Sequence, residues 1–284
     1  MTRFVNNLKT TFLLTLLFVL ILTIGGRLGG QGGLMIAFIF GLAMNVGAYF
    51  YSDKIALATM RGQEVDAQSA PDLYHMVGRL AGNAGLPMPK VYICPQEAPN
   101  AFATGRSPKH AAVAVTHGAL KLLSYDELEG VMAHELAHVK NRDTLTSCIV
   151  ATLAGVITMV ASMAKWGMIF GGLGGQNRDH NIFADLLMII LAPFAAVMIQ
   201  MAVSRSREFV ADHDGARIAG TPYGLISALQ KLESQSSRMP LQGASTTQNH
   251  MFIVSPAIGK NLAGLFRTHP RTEERVAKLR DMVA

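Results

Sequence analysis

Four long apolar stretches are the strongest feature in the pattern of hydrophobic and polar positions along the chain. They cover residues 11–24, 34–51, 147–164 and 182–203. A helix needs roughly 20 apolar residues to cross a bilayer. The second and fourth stretches meet this length, the third is marginal, and the first meets it only when extended into its neighbours. The pattern therefore predicts four transmembrane helices.

A cleaved signal peptide is the alternative for the first stretch, because Arg3 and Lys9 give it a basic start. However, it lacks a small-x-small cleavage site, and a second apolar stretch follows at once. The glycine-rich residues 25–33 between the two stretches indicate a tight turn. We favour a retained helical hairpin.

Two hydrophilic blocks separate and follow the apolar stretches. The chain is therefore predicted to contain a helical hairpin at 1–51, a first hydrophilic segment at 52–146, a second helical pair at 147–203 and a second hydrophilic segment at 204–284. Basic residues decide the orientation, because cytoplasmic loops carry the excess of lysine and arginine. Those on the side of the termini outnumber those on the other side, which predicts that both termini and both hydrophilic segments are cytoplasmic: Arg3, Lys9, Lys54, Arg61, Lys140, Arg142, Arg205 and Arg207 against Arg27, Lys165 and Arg178. The loop 165–180 is predicted to face outward.

The first hydrophilic segment is predicted to be mixed α and β. A helix is expected at 71–85, and strands at 90–94 and 111–116, whose alternation is typical of a half-buried sheet. Ser124 and Glu127 have capping-box spacing and mark the start of another helix. No breaker follows through Leu145, so this helix is predicted to reach the membrane and to continue as the third apolar stretch.

The second hydrophilic segment is predicted to be helical. A helix continues from the fourth apolar stretch and ends near Gly220, and Thr221 and Pro222 start the next one. Residues 236–262 are rich in Ser, Gln, Met and Gly and are predicted to form a long loop. A last helix is expected at 271–282.

Composition supports a membrane protein and excludes several other classes. Only 15% of the 284 residues are charged, and the mean hydropathy is +0.29, so lipid is an expected partner. The net charge of +6 is dispersed, which argues against nucleic acid. Cys94 and Cys148 lie far apart, which argues against a disulfide framework and a cysteine metal site. The glycines at 171–175 lack a following Gly-Lys-Ser/Thr, so no nucleotide is expected.

The candidate chemistry is concentrated in His134-Glu135-Leu136-Ala137-His138. Two histidines four residues apart lie on one face of a helix, which suits two corners of a zinc tetrahedron. Glu135 can take a proton from zinc-activated water and return it to the leaving amine. The alternative is a solvated helix face that happens to carry two histidines.

A third protein ligand is needed, with the fourth position left to water. The extended pattern with a third histidine fails, because Asn141 and Thr144 occupy its glycine and histidine positions. A carboxylate on another helix is therefore expected. Glu208 is the best candidate, and Asp212, one turn later, can accept a hydrogen bond from a ligand histidine. The alternative is a surface ion pair of Glu208 with Arg205 or Arg207; weaker ligand candidates are Glu127, Glu129 and Glu273.

Taken together, these motifs resemble the HtpX family of bacterial membrane zinc endopeptidases, which is related to the CAAX prenyl proteases. The resemblance covers essentially the whole chain and includes His134 to His138, Glu208 with Asp212, residues 99–105, and Thr268-His269-Pro270 with Arg275. It implies a gluzincin-like site with one zinc ion on His134, His138 and Glu208. It also implies a mainly α chain with four transmembrane helices. The cytoplasmic metalloprotease domain is then α+β and carries a small sheet. The implied location is the bacterial inner membrane, and the implied role is quality control of damaged membrane proteins under stress.

The resemblance implies further roles near the site. Asn100, Ala101 and Phe102 are expected to border the cleft, where a substrate can pair as an added strand, or else to form a simple loop. His269 is expected to donate to the oxyanion of the tetrahedral intermediate, or only to start the last helix. Arg275 is expected to lie near the zinc site or to form a structural ion pair.

Spacing along the helices predicts a site just outside the bilayer. His138 lies seven residues before Leu145, and Glu208 five residues after Val203, which correspond to roughly 10 and 8 Å of helix. We therefore expect cleavage of cytoplasmic and juxtamembrane segments. An intramembrane protease is disfavoured because charged residues flank the motif on both sides. A prenyl-protein protease stays open, and so does a membrane scaffold with a structural zinc, although Glu135 would then have no task.

Overall fold

The computed structural model describes residues 3–24, 30–170, 182–238 and 269–282. Helices dominate the described residues: α1 (Arg3–Ile24), α2 (Gly30–Thr59), α3 (Pro71–Ala84), α4 (His117–Leu122), α5 (Tyr125–Asn141), α6 (Asp143–Phe170), α7 (Ile182–Ala219), α8 (Tyr223–Arg238) and α9 (Thr272–Arg280). The strands are β1 (Gln63–Val65), β2 (Lys90–Cys94), β3 (Ala101–Thr104) and β4 (Ala112–Thr116). The predicted mainly helical fold with a small sheet is confirmed.

The chain forms two compact units. The first, here called the apolar unit, comprises Met1–Ala48 and Thr146–Val203, and the second, here called the mixed unit, comprises Tyr49–Leu145 and Ser204–Ala284. In the apolar unit, side chains of α1, α6 and α7 form one hydrophobic cluster that includes Leu17, Ile157 and Ala196.

Two helical segments of the described residues are long and apolar enough to cross a membrane. They are Asp143–Ser162 and Leu186–Ala219. A shorter apolar helix covers Thr11–Ile21. The third and fourth predicted spans thus meet this test, whereas α1 and α2 are helices whose membrane crossing stays a prediction.

Three predicted boundaries around the apolar stretches are wrong. Residues 30–33 belong to α2, so the turn does not include them, and 25–29 lie outside the described residues. Residues 165–170 continue α6, because Trp166, Met168, Ile169 and Phe170 extend its apolar run. The predicted long loop begins inside α8, whereas 239–262 lies outside the described residues, as do the glycines at 171–175 and Thr268.

The predicted uninterrupted helix from Glu127 through Leu145 is also wrong. Arg142 has a positive φ of 54°, and its amide N–H bonds the carbonyls of His138 and Val139, so α5 ends there and α6 begins at Asp143. The capping box of Ser124 and Glu127 at the start of α5 is confirmed.

The sheet of the mixed unit has the strand order β1-β2-β4-β3. β2 and β4 are parallel, while β1 and β3 pair antiparallel as the two edges. The predicted strands at 90–94 and 111–116 are confirmed, but β4 is buried along its whole length rather than half-buried. Val113 and Val115 face the core of α3 and α5, and Ala114 faces Met60 and Phe102 beside the end of α2, so both faces are covered.

Close backbone contacts and one buried carboxylate join α5 to α8. A Cβ atom at Gly130 would lie 2.4 Å from the amide nitrogen of Leu225, so only glycine permits this approach. At the start of α5, the carboxylate of Glu127 accepts hydrogen bonds from Ser227 and Lys231 of α8 at 2.6 and 2.7 Å. α5 is therefore held against α8 as well as against the sheet.

Other predicted helix ends lie within a few residues of the observed ones. α3 ends at Ala84 and α7 at Ala219, and each is followed by a glycine with positive φ, Gly85 and Gly220, as expected after a helix. α8 begins at Tyr223, one residue after Pro222, and α9 is shorter than 271–282. The short elements β1, β3 and α4 are absent from the sequence prediction.

Candidate metal centre

His134 and His138 lie one turn apart on α5, and their rings converge on one point. Their Nε2 atoms are 3.1 Å apart. Glu208 of α7 completes the group, with one carboxylate oxygen 3.6 Å from Nε2 of His134 and the other 3.4 Å from Nε2 of His138. The three predicted ligand candidates are thus brought together, and each offers one ligand atom within 4.8 Å of the others.

The distances and the burial of this group fit a zinc ion. For zinc–ligand bonds of about 2.05 Å, adjacent corners of a tetrahedron are about 3.3 Å apart, which lies within the observed 3.1 to 3.6 Å. His134 and Glu208 are buried, and Oε2 of Glu208 faces only nitrogen atoms, with Nε2 of His134 at 3.6 Å and Nδ1 of His269 at 2.9 Å. A buried carboxylate needs a compensating positive charge, and a cation held between Glu208 and the two histidines would supply it.

The absence of a side chain at Gly215 allows α7 to approach α5 at the site. A Cβ atom at Gly215 would lie 2.8 Å from the Cα atom of His134 and 2.9 Å from its nitrogen. Gly215 follows Glu208 by two turns of α7, so the carboxylate and the contact lie on the same side of the helix.

A carboxylate and an arginine support His134 from behind. Its Nδ1 lies 3.0 Å from Oδ1 of Asp212. The sequence predicted a ligand histidine as the partner of Asp212, and the structure identifies it as His134. Arg275 of α9 donates two hydrogen bonds of 2.8 and 2.6 Å to Asp212 and is itself fully buried. Burial alone would lower the pKa of Arg275, but the charge and hydrogen bonds of Asp212 raise it, so the arginine is a permanent cation.

His138 has a similar support that the sequence reasoning missed. Its Nδ1 lies 2.6 Å from Oδ2 of Asp143, and Oδ1 of Asp143 accepts a hydrogen bond from Nε of Arg207. Burial alone would lower the pKa of His138, but the carboxylates of Asp143 and Glu208 raise it. The signal in the sequence is an aspartate shortly before an apolar stretch, and its place beside His138 depends on the backbone break at Arg142.

The carboxylate of Glu135 points toward the edge of the sheet. Its Oε2 accepts a hydrogen bond of 2.8 Å from the amide N–H of Ala103. Ala103 lies on the edge strand β3, and this N–H is therefore directed away from β4. Ala103 is a second residue that the sequence reasoning missed, because its role depends on which way the strand edge faces.

The remaining candidates around the site lie as follows. Asn100, Ala101 and Phe102 are buried. The backbone N–H of Asn100 donates to the hydroxyl of Thr116, and the backbone carbonyl of Asn100 accepts from the N–H of Thr116. Nδ1 of His269 lies 2.9 Å from Oε2 of Glu208, so this histidine is adjacent to the candidate metal ligands.

The weaker alternatives are placed elsewhere. Glu127 bonds Ser227 and Lys231, Glu129 pairs with Arg79 at 2.6 Å, and Glu273 is exposed on α9. Arg207 pairs with Asp143 instead of Glu208, so the surface ion pair considered for Glu208 with this arginine is absent among the described contacts.

Comparisons with known proteins agree with this geometry. The model of peptidase family M48 matches residues 67–283. A "Protease HtpX homolog" of Desulfatibacillum aliphaticivorans is 55% identical over 276 residues, which are 96% of this chain and 89% of the relative. Another, of Syntrophobacter fumaroxidans, is 50% identical over 98% of this chain and 99% of the relative.

Among solved structures, the crystal structure of S. mikatae Ste24p has a similar fold. The TM-score is 0.62 at 16% sequence identity, and the match covers 97% of this chain and 66% of that protein. At this identity the likeness concerns the fold alone.

Proposed function

We propose, from the premise that this chain belongs to peptidase family M48, that His134, His138 and Glu208 bind one zinc ion and that Glu135 is the general base. The protein is a membrane zinc metalloprotease, and these residue roles are the proposal. When bound, zinc supplies a Lewis acid that brings the pKa of a coordinated water to about 7. The three ligands leave a fourth position open, as in catalytic zinc sites.

In this proposal Glu135 moves the proton. Its position directly after His134 turns its carboxylate to the side of the ligand pair, where it can receive the proton of the attacking water. After the tetrahedral intermediate forms, the same carboxyl group can protonate the leaving amine, so that the C–N bond breaks without releasing an amide anion. Both transfers need one carboxylate within hydrogen-bonding reach of the cleft.

The hydrogen bond between Glu135 and Ala103 is the observation that carries this proposal. Glu135, the proposed general base, lies against the outer edge of β3, where an extended peptide would add as a further strand. The peptide carbonyl would then lie beside both Glu135 and the metal ligands. Because the side chains of Asn100, Ala101 and Phe102 are buried, this part of the chain would recognise substrate through its backbone and not through those side chains.

His269 and Arg275 have different proposed tasks. Nδ1 of His269 faces Oε2 of Glu208, whereas its buried Nε2 has no hydrogen bond among the described residues and can donate to the oxyanion of the intermediate. Arg275 donates two hydrogen bonds to Asp212 and supports His134 through that carboxylate.

For substrates, we propose cytoplasmic and juxtamembrane segments of misfolded or damaged membrane proteins at a bacterial inner membrane. Support comes from the charged residues on both sides of the motif, the short spacing to the apolar stretches and the distribution of basic residues. Both termini and the active site are then cytoplasmic, and the contacts of the protein are membrane lipid and protein substrates.

The test is proteolysis of an unfolded model protein by the purified, zinc-loaded full chain in detergent. Glu135→Gln should bind zinc but lose at least about a thousandfold in kcat, since it cannot accept a proton. Glu129→Gln on the same helix is the control and should keep its activity. Full activity of Glu135→Gln would overturn the mechanism. Cleavage of a prenylated C-terminal peptide, but not of the unfolded protein, would favour a prenyl-protein protease, and zinc binding without either cleavage would favour a scaffold.

A further inference from the structure

The junction between α5 and α6 has an unusual backbone. Arg142 takes a left-handed conformation with a φ of 54°, which is uncommon for a residue other than glycine and persists only where the surroundings determine it. The junction turns the chain so that Asp143, the first residue of α6, is buried with a relative exposure of 7%. A buried carboxylate needs partners, and Asp143 has two of different kinds.

The two oxygens of Asp143 connect a metal-ligand candidate to a buried cation. Oδ2 lies 2.6 Å from Nδ1 of His138, and Oδ1 accepts from Nε of Arg207. Nη2 of Arg207 donates to the carbonyl of Asn141 at 2.9 Å. The amide of Asn141 in turn donates to Asp214 at 2.9 Å. Arg207 therefore bonds the last residue of α5, Asn141, as well as the first residue of α6, Asp143, and so holds the chain on both sides of the helix break.

This arrangement matches the support of the other histidine. Asp212 lies behind His134 and is held by Arg275, just as Asp143 lies behind His138 and is held by Arg207. In each pair the carboxylate takes Nδ1 and leaves Nε2 directed at Glu208. Outer carboxylates of this kind fix the orientation of a ligand ring and make it a better ligand.

We propose that Asp143 is a positioning residue for His138 and that Arg207 holds Asp143 in place. The proposal rests on the zinc ligation assigned above and adds two residues to it. The break at Arg142 then has a purpose, because a continuous helix would carry residue 143 about 140° around the axis from residue 138. Arg207 directly precedes Glu208, so one short piece of α7 supplies both a ligand and the anchor of another ligand.

A merely structural role for Asp143 makes a different prediction. An acidic residue in the first turn stabilises a helix through its dipole, and Asp143 has that position in α6. Removing such a residue lowers the stability of the zinc-free protein and leaves zinc affinity unchanged. Removing a positioning residue lowers zinc affinity and alters the geometry around the metal.

The experiment measures the zinc dissociation constant of the full chain in detergent by competition with a chromophoric chelator. Asp143→Asn keeps the size of the side chain and its ability to accept at a helix start, but loses the charge. We expect it to weaken zinc binding about 10- to 100-fold. Arg207→Gln should act in the same direction, and the double variant should lose less than the product of the two single effects, because the residues act together.

The matched control is Asp126→Asn, which removes an exposed first-turn acid of α5, twelve residues before His138 and therefore roughly 18 Å away along the helix. It should leave zinc affinity unchanged. Visible absorption of the cobalt-loaded protein is a second readout, and its bands should shift in Asp143→Asn but not in Asp126→Asn.

His138→Ala separates the two proposals. If it binds zinc as tightly as the unaltered chain, the ligand assignment itself fails. If it loses zinc while Asp143→Asn keeps both the affinity and the cobalt spectrum, only the positioning role is overturned.

Discussion

Gly215 and His134 meet backbone to backbone, since a Cβ atom on the glycine would lie 2.8 Å from the Cα atom of the histidine. The contact fixes how closely α7 can approach α5. It therefore fixes the separation between Glu208 and the two histidines, because side chains of limited length must close the remaining gap.

Gly215→Ala should force the two helices apart. An added methyl group that meets backbone costs about 1–3 kcal/mol, more than the gain from replacing a helical glycine. We expect a lower unfolding midpoint and weaker zinc binding, measured by thermal unfolding and chelator competition. Gly82→Ala on α3 is the control, since a Cβ atom there meets nothing within 4 Å. Equal behaviour of the two variants would contradict the proposed contact.

Removal of zinc should destabilise the unaltered protein. Its ligands come from two separate helices, so the metal binds the folded state and stabilises it by roughly 4 kcal/mol at a thousandfold excess over the dissociation constant. A chelator should therefore lower the melting temperature in detergent. His138→Ala should melt at the same temperature with and without chelator, whereas an unchanged midpoint in the unaltered protein would count against a shared zinc.

Arg275→Gln should weaken the hold on Asp212, the carboxylate that orients the ring of His134. The substitution leaves the carboxylate of Asp212 buried without its cation, and breaking such a pair costs about 3–5 kcal/mol. Arg275→Lys should recover only part of this, since lysine lacks the two-pronged geometry. Unfolding by denaturant and the zinc content of the purified protein measure both effects. Arg280→Gln, exposed on the same helix, should match the unaltered chain.

Glu127 should make stability depend on acid pH. Burial alone would raise the pKa of Glu127, but hydrogen bonds from Lys231 and Ser227 outweigh it and lower the pKa to about 2, from an ordinary value of 4.5. The stabilisation is therefore complete above about pH 4.5 and disappears as the pH falls toward 2. We expect on the order of 2 kcal/mol, since Lys231 is 44% exposed and solvent weakens the pair.

Glu127→Gln tests this pH dependence. The difference in unfolding free energy between this variant and the unaltered chain should be largest near pH 7 and small near pH 2. Glu129→Gln, whose carboxylate meets a half-exposed arginine, should show a smaller difference. A difference for Glu127→Gln that stays constant with pH would rule out the charge as its source.

Ala103→Pro should impair substrate use and spare the fold. Proline is tolerated on an edge strand, but it removes the N–H group that donates a hydrogen bond to Glu135 and that an added strand would use. We expect kcat/KM for an unfolded protein substrate to fall about tenfold or more, with zinc content unchanged. Ala103→Ser keeps the N–H and should retain most of the activity; a comparable loss in the serine variant would point to the side chain instead.

The parts of the site that sequence predicts are those with local geometry. His134 and His138 share a helix face by their spacing alone, and Glu208 with Asp212 repeats that logic on α7. Asp143 could not be found in this way, because its place beside His138 depends on the left-handed backbone of Arg142. Ala103 depends on the pairing of β3 with β4, which a four-residue strand does not disclose. For the fold, the long helices carry strong periodic signals, whereas β1, β3 and α4 are too short to do so.

The spacing of Arg207, Glu208, Asp212 and Gly215 along one helix also limits how this part of the chain can change in length. One inserted or deleted residue between Arg207 and Gly215 would rotate everything beyond it by about 100° and shift it by 1.5 Å. The anchor of His138, the metal ligand, the support of His134 and the contact with α5 could then no longer all face the same way. Insertions and deletions within this segment of nine residues should therefore abolish zinc binding, even though a single substitution at its exposed residue, His213, should have no effect.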